Sequence, residues 1–133
     1  MKSFKILVIL ALALLFSAAC FTPAACRSDV DVDEFARIAA KKAVVLMDVR
    51  TPEEFAAGHI EGALNSDWNS QGFLDDVSRQ LQGSRPKLAI YCRSGRRSAA
   101  AADALCAAGY RVYNLSGGIV AWQEAGRPVV SGE

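Results

Sequence analysis

The chain has 133 residues, 52% of them hydrophobic and 22% charged, which suits one ordinary domain and no more. It carries 15 lysines and arginines against 14 aspartates and glutamates, so the charge balance gives no support for nucleic-acid binding. No two cysteines have C-x-x-C spacing and His59 is the only histidine, a pattern that argues against a structural zinc site. No metal and no organic cofactor are expected.

Residues 1–19 have the pattern of an export signal. Lys2 and Lys5 form a short basic start, and residues 6–16 are an uninterrupted apolar run that ends in small residues. A run of this length is too short to span a bilayer comfortably as a permanent anchor. We therefore expect the protein to be exported to the periplasm, and removal of the two lysines leaves 13 basic against 14 acidic residues.

The cleavage site leaves two outcomes open. Ser17 and Ala19 satisfy the small-x-small rule for a free periplasmic protein. Small residues directly before Cys20 also resemble a bacterial lipobox, which would place a lipid anchor on Cys20, although Ser17 stands where a lipobox usually has leucine. In either case we expect a leader over residues 20–28 and one folded domain over residues 29–130.

Helical and strand patterns alternate along the domain. A capping box opens a helix over residues 31–40, residues 44–49 are an apolar run typical of a strand buried on both faces, and a second capped start opens a short helix at 51–58. The further elements that the patterns predict are a strand at 63–65, a helix at 72–81, a strand at 87–91, a helix at 98–108, a strand at 112–115 and a helix at 119–125. This rhythm predicts an α/β fold with an open, mainly parallel sheet and helices on both faces.

The segment from Tyr91 to Ser98 carries the most chemistry. Cys92 ends the predicted strand 87–91, and a loop with Gly95 leads into the next helix. The three arginines within five residues of the cysteine are Arg93, Arg96 and Arg97. A helix N-terminus and cationic neighbours lower the pKa of a cysteine, and ligands bind beyond the carboxyl ends of parallel strands. Cys92 is therefore predicted to be a nucleophile.

Cys26 and Cys106 are expected to lie in environments that differ from that of Cys92. Export places the protein in an oxidising compartment, where disulfides form. Cys92 and Cys106 are predicted not to pair, because the helix between them separates their backbones by more than about 7 Å. Cys106 has apolar neighbours and is expected to be a small buried residue, whereas Cys26 falls in the expected flexible leader.

Three segments in order resemble the rhodanese family of single-domain thiosulfate sulfurtransferases. They are Cys-Arg-Ser-Gly-Arg-Arg-Ser at 92–98, Asp-Val-Arg-Thr-Pro-Glu-Glu-Phe at 48–55 continued by Gly-His-Ile-Glu-Gly-Ala at 58–63, and Gly-Gly-Ile at 117–119 with Trp122. The resemblance extends from about residue 29 to residue 129 and implies a rhodanese-like fold. One departure is Ser66-Asp67, where family members often have an apolar residue and proline.

The resemblance also implies a mechanism. Cys92 would take the outer sulfur of thiosulfate or a similar anionic donor as a persulfide and pass it to a thiol or cyanide. The loop residues implied to bind the donor are Arg93, Ser94, Gly95, Arg96, Arg97 and Ser98. Backbone N–H groups would hold the sulfur, Arg93 and Arg96 would attract the donor, and Arg97 is expected to support the loop.

Other polar residues near these motifs have structural interpretations. Asp48 and Arg50 are expected to form a hydrogen-bonded pair that holds neighbouring loops. His59 is expected to be a structural hydrogen-bonding residue rather than a base for Cys92, and Trp122 a core residue. A monomer is expected.

Two alternative functions remain open at this point. Phosphatases and arsenate reductases of the cysteine-loop type place an arginine six residues after the cysteine, but this chain has Ser98 there, which favours sulfur chemistry. The domain could also be a sulfur carrier or a thiol-redox module that another protein charges.

Overall fold

The computed structural model of the protein describes residues 25–132. Its strands are β1 (Arg27–Val30), β2 (Val44–Asp48), β3 (Leu64–Asn65), β4 (Lys87–Tyr91) and β5 (Val112–Leu115). They form one sheet in the order β1-β5-β4-β2-β3, and all neighbouring strands run parallel. The predicted α/β fold with an open parallel sheet is confirmed.

The described part of the chain has five helices, and four of them cover the two faces of this sheet. The five helices are α1 (Val32–Ala39), α2 (Pro52–Ala57), α3 (Phe73–Gln80), α4 (Arg96–Ala107) and α5 (Gly118–Glu124). One core lies under α3 and α4, and the other lies under α1 and α5. Side chains alternate along β4, so Leu88 and Ile90 enter the first core whereas Ala89 and Tyr91 enter the second. Burial on both faces explains why this strand is an apolar run.

Two of the helices begin at the residues that the capping patterns indicate. The Asp31 carboxylate accepts a hydrogen bond from the Glu34 backbone N–H at 2.9 Å, where α1 begins. The Thr51 hydroxyl accepts one from the Glu54 backbone N–H at 3.2 Å, where α2 begins. These side chains satisfy backbone donors that have no partner within the first helical turn.

The amino terminus of the domain differs from the sequence analysis. β1 begins at Arg27, inside the segment 20–28 that the sequence assigns to a leader. Cys26, directly before β1, forms a disulfide with Cys106 in the last turn of α4, with their Cα atoms 5.6 Å apart. The expectations of a flexible position for Cys26 and of a merely buried apolar Cys106 are therefore wrong. Cys92 is a free cysteine and does not pair with Cys106, as predicted.

The sequence pattern does not predict β1, because the first residues of this strand are polar. It is an edge strand that pairs with β5 on one side only, and the Arg27 guanidinium donates to the carboxylates of Asp29 and of Asp103 on α4. The Arg111 guanidinium donates to the Ser28 hydroxyl at 2.7 Å. Pairing with β5 and these contacts make the segment a strand, and neither can be read from a four-residue sequence window.

The predicted export signal and Cys20 lie outside the described residues. Between residues 25 and 132, none of the helices has the length and apolar character needed to cross a membrane.

Candidate active site

Cys92 lies immediately after β4, the middle strand of the sheet, at its carboxyl end. The alternation along β4 places its side chain in the core with Leu88 and Ile90, on the face covered by α4. The residue is only 1% exposed. The sheet and α4 therefore hold one thiol at a fixed position beside the N-terminus of a helix.

Hydrogen-bond donors surround the Cys92 sulfur. The Gly95 backbone N–H lies 3.1 Å from Sγ, and the Ser98 hydroxyl lies 3.2 Å from it. Burial raises the pKa of the Cys92 thiol, but hydrogen bonds from the Ser98 hydroxyl and from the backbone N–H groups of Ser98, Gly95 and Ser94 outweigh it. The pKa of Cys92 consequently lies below its usual value, and the reactive thiolate is favoured.

Gly95 makes the turn from the loop into α4. Its φ of 99° lies in the left-handed region that favours glycine, and a Cβ atom there would lie 3.3 Å from the Gly117 backbone nitrogen. No side chain caps this end of α4, which leaves backbone N–H groups directed at the loop. Because the turn is complete at Gly95, α4 begins at Arg96 and not at residue 98 as predicted.

The three loop arginines have different surroundings. Arg93 and Arg96 are exposed and take part in none of the ion pairs formed within residues 25–132. Arg97 donates to both carboxylate oxygens of Glu54, at 2.7 and 2.8 Å. Two guanidinium groups are thus available to an incoming anion, whereas the third is held by α2.

Glu54 is the residue of this site that the sequence analysis missed. Hydrogen bonds from Arg97 lower the pKa of the Glu54 carboxyl group to about 2, against the opposing effect of burial. The Thr51 hydroxyl also donates to this carboxylate, at 3.2 Å. The sequence marks Glu54 only as part of a helix start, since its partner lies 43 residues further along the chain. The ion pair joins α2 to the first turn of α4.

Asp48 and Arg50 form a buried pair behind the loop. The Arg50 guanidinium donates to both oxygens of the Asp48 carboxylate, with the shortest distance 2.7 Å, and to the Gly58 carbonyl at 2.6 Å. The Asn65 side-chain amide donates to the backbone carbonyls of Asp48 and Arg50. These contacts tie the end of β2 to α2 and β3.

The backbone of the cysteine loop is also held by α5. The backbone N–H groups of Ile119 and Val120 donate to the carbonyls of Cys92 at 2.9 Å and Arg93 at 3.2 Å. Gly118 has a φ of 61°, and a Cβ atom there would lie 2.6 Å from the Cys92 carbonyl oxygen. Only glycine allows α5 to approach the loop this closely. The sequence pattern at 117–119 marks this position, but not the contact that requires it.

His59 and Trp122 have structural contacts. The His59 ring stacks on Phe55 with 3.7 Å between ring centroids, and its Nδ1 lies 2.8 Å from the Phe55 carbonyl oxygen. A carbonyl only accepts, so Nδ1 carries the proton. The Trp122 indole packs edge-on against Phe35 and donates to the Pro128 carbonyl at 2.9 Å.

A cavity of about 440 Å³ borders the cysteine loop, and we call it the Cys92 groove. Its polar lining residues are Arg50, Glu54, Arg93 and Gln123, and its remaining lining residues are Ala57, Gly58, Ile119, Val120 and Val129. Arg93 is the residue after Cys92, and Ile119 binds the Cys92 carbonyl. The groove therefore borders the backbone of the cysteine loop.

Replacing Ser98 with alanine is expected to raise the pKa of Cys92, because one hydrogen bond to the thiolate is lost. Less thiolate is then present at any pH below the new pKa. Ultraviolet absorbance of the thiolate, followed against pH and corrected with alkylated protein, measures the shift. Ser94→Ala is the matched control, since the exposed Ser94 contributes only its backbone N–H. Equal titration curves for the two variants would contradict this role of the Ser98 hydroxyl.

Fold and site together define an α/β domain that presents a cysteine of lowered pKa at the carboxyl end of a parallel sheet. Comparison with known proteins agrees with this class. The model of the rhodanese-like domain family matches residues 31–125. A sulfurtransferase of Allochromatium vinosum is 41% identical over 98 residues, which cover 73% of this chain and 88% of that protein.

Two further relatives support the same assignment. A thiosulfate sulfurtransferase of Shewanella oneidensis is 35% identical over 97 residues, which cover 72% of this chain and 92% of that protein. The crystal structure of a rhodanese-related protein from Thermoplasma volcanium superposes with a TM-score of 0.62 at 29% identity, and the match covers 77% of this chain and 96% of the other. The chain belongs to the rhodanese-like sulfurtransferase family, whose reaction requires a sulfur donor and a thiol acceptor.

Proposed function

We propose that the protein is a thiosulfate sulfurtransferase that carries the transferred sulfur as a persulfide on Cys92. The observation that carries the proposal is the environment of the Cys92 sulfur, which accepts hydrogen bonds from Gly95 and Ser98 at the N-terminal end of α4. These groups stabilise negative charge on sulfur without a neighbouring base. A thiolate of this kind is a nucleophile in its resting state.

In the first half-reaction the Cys92 thiolate attacks the outer sulfur of thiosulfate. A new bond forms between Sγ and this sulfur, the sulfur–sulfur bond of thiosulfate breaks, and sulfite leaves with the electron pair. The product is a cysteine persulfide that carries one negative charge. Arg93 and Arg96, which have no ion-pair partner in the described chain, attract the dianionic donor.

In the second half-reaction an acceptor takes the outer sulfur. Cyanide attacks it and leaves as thiocyanate, or a thiolate attacks it and leaves as a new persulfide, and Cys92 recovers its thiolate in both cases. The terminal sulfur bears the charge between the two steps, and the backbone N–H groups of the loop stabilise it. One covalent intermediate shared by two half-reactions produces ping-pong kinetics.

The arrangement of Arg97 argues against phosphoryl or arsenate chemistry. A cysteine-loop phosphatase needs a guanidinium within the loop to bind a tetrahedral oxyanion. Here Arg97 is bound to Glu54 through two hydrogen bonds, and the next residue, Ser98, directs its hydroxyl to the Cys92 sulfur. The hydrogen-bond donors of the loop are therefore positioned to bind a sulfur atom.

The burial of Cys92 argues against a thiol-redox module. Such a module exchanges disulfides with large partners, but the Cys92 residue is 1% exposed. In residues 25–132 the other two cysteines, Cys26 and Cys106, are joined to each other, so this part of the chain offers no second thiol to resolve an oxidised Cys92. A small anionic donor fits these constraints better than a protein disulfide.

Mass spectrometry of the protein after exposure to thiosulfate tests the proposal. We expect one added sulfur atom, located on the peptide that contains Cys92, and its loss as thiocyanate when cyanide is added. Cys26 and Cys106 are internal controls, because their disulfide should gain no sulfur. Repeated turnover with both substrates identifies an enzyme, stable charging without turnover identifies a sulfur carrier, and no gain of sulfur contradicts both.

We further propose that the protein acts in the periplasm, either free or anchored through lipid on Cys20. The Cys26–Cys106 disulfide supports this location, because disulfides persist in oxidising compartments. Labelling of cells with palmitate, compared between the wild type and Cys20→Ala, separates the two forms.

A further inference from the structure

Basic residues gather at the amino-terminal end of the sheet, opposite Cys92. Because all neighbouring strands run parallel, their first residues share one end of the sheet, and Cys92 follows β4 at the other end. The segments that form the amino-terminal end are residues 25–28, 37–44, 84–88 and 106–112. These segments contain no acidic residue, and their basic residues, which we call the basic end, are Arg27, Arg37, Lys41, Lys42, Arg85, Lys87 and Arg111.

The strand register brings members of the basic end close together. Lys87 lies directly opposite Val44, the first residue of β2, and the turn 41–43 comes just before Val44. On the other side of β4, the Leu88 backbone N–H donates to the Arg111 carbonyl at 2.9 Å. Neighbouring strands lie about 4.8 Å apart, so the backbone positions of basic residues next to three adjacent strands lie within roughly 15 Å.

Most charges of the basic end have no acidic partner within residues 25–132. Only Arg27 forms ion pairs, with Asp29 and Asp103. The six others take part in none of the ion pairs of the described residues, and all of them except the half-buried Arg111 are exposed. Acidic residues instead occupy the first turns of α1, α2 and α3, at the carboxyl end of the sheet. A nearly neutral domain thus has one end that attracts anions.

The amino-terminal part of the chain joins the domain at this same end. Cys26 lies directly before β1, and its disulfide attaches it to the last turn of α4. The Arg111 guanidinium donates to the Cys26 carbonyl at 2.9 Å. The apolar run 6–16, and Cys20 if it carries lipid, therefore connect to the fold beside cations without an acidic partner in the described chain.

We propose that the basic end binds an anionic lipid surface, so that the domain lies with this end on the membrane and the Cys92 loop directed away from it. Groups of roughly four to eight lysines and arginines next to a membrane attachment bind anionic phospholipid headgroups. A single attachment and a basic surface together give stable binding where either alone is weak. The place where the chain enters the domain favours a lipid surface over a nucleic acid as the anionic partner.

Binding of the full chain to phospholipid vesicles tests the proposal, because every variant then keeps the same residues 1–24. Vesicles of phosphatidylcholine mixed with phosphatidylglycerol are compared with vesicles of phosphatidylcholine alone by cosedimentation. The readout is the ratio of the two partition coefficients, in which apolar contributions to binding cancel. For the wild type we expect a ratio of at least about tenfold at low salt that falls as sodium chloride is added, because salt screens exposed charges.

Two double variants remove equal charge from opposite ends of the sheet. Lys42→Gln combined with Lys87→Gln is expected to lower the ratio roughly tenfold or more, because each lysine contributes to the attraction. Arg93→Gln combined with Arg96→Gln is the matched control. These arginines are likewise exposed and form no ion pair within residues 25–132, but they lie at the carboxyl end. The ratio of the control should remain close to that of the wild type.

Hydrogen exchange of the vesicle-bound protein reports its orientation. We expect anionic vesicles to slow the exchange of backbone amides in residues 40–43, 84–87 and 109–111 but not in the loop 93–97. Attachment through residues 1–24 alone would slow exchange in none of these segments. The comparison therefore distinguishes binding by the basic end from a simple tether.

Three results would overturn the proposal. Equal ratios for the two double variants would mean that net charge alone determines binding, and slowed exchange centred on 93–97 would place the Cys92 loop on the membrane. The third is duplex DNA binding that the Lys42 and Lys87 substitutions abolish, with no preference for anionic vesicles, which would assign the basic end to a nucleic acid. None of these measurements depends on sulfur transfer, so the proposed function stands or fails separately.

Discussion

Cys92→Ser is expected to lower the rate of sulfur transfer by roughly 10³-fold or more, as loss of the nucleophile does in other covalent enzymes. Serine has a similar shape, and its hydroxyl can accept the hydrogen bonds that Gly95 and Ser98 direct at the sulfur. Its oxygen is not ionised at neutral pH, and an oxygen–sulfur bond would replace the persulfide. The variant should therefore fold normally and fail to accept sulfur from thiosulfate.

Steady-state production of thiocyanate measures this loss, and thermal unfolding shows whether the fold is retained. Cys92 contacts the core of α3 and α4, so the unfolding temperature of the variant is expected to remain within a few degrees of the wild-type value. A folded Cys92→Ser protein with substantial activity would mean that another group carries the sulfur.

Removal of the disulfide should have the largest effect on stability. We expect Cys26→Ala combined with Cys106→Ala to lower the free energy of unfolding by about 4 kcal/mol, because the bond closes a loop with a sequence separation of 80 residues. The free energy of unfolding of a single domain of this size is small, so a loss of this amount should make the variant unfold at a clearly lower urea concentration. Urea denaturation of the oxidised proteins measures the difference.

A reducing agent provides the control for this prediction. Dithiothreitol should destabilise the wild type to the level of the double variant and leave the variant unchanged. At low temperature the variant should still be charged by thiosulfate, because Cys106 lies in the last turn of α4 whereas the loop of Cys92 adjoins its first turn. Equal urea midpoints for oxidised wild type and variant would contradict a stabilising disulfide.

Local patterns predicted the parts of the fold that depend on local physics. β4 is an apolar run because both of its faces are buried, and α1 and α2 begin at capping residues. β1 was missed because its residues Arg27, Ser28 and Asp29 become a strand only through pairing with β5. The disulfide was missed for the same reason, since it requires Cys26 to be brought to the end of α4 by that pairing.

In the candidate site too, local sequence predicts some features, whereas tertiary packing determines others. Cys92, its lowered pKa and the turn at Gly95 follow from a strand, a short loop and a helix that are consecutive in the chain. The partner of Arg97 could not be predicted, because Glu54 comes from a separate helix that packs beside the loop. The contact of Gly118 with the Cys92 backbone likewise depends on how α5 docks. The sequence identified the candidate nucleophile, and tertiary packing determined which loop arginines form no ion pair within residues 25–132.

The disulfide also determines how a mechanical force on the amino-terminal segment enters the domain. Without it, tension at residue 26 would act on the hydrogen bonds between the edge strand β1 and β5, which could open one after another. With it, tension passes through the sulfur atoms into the last turn of α4, away from the loop that holds Cys92. A tether attached before Cys26 could therefore be pulled without distorting the position of Cys92.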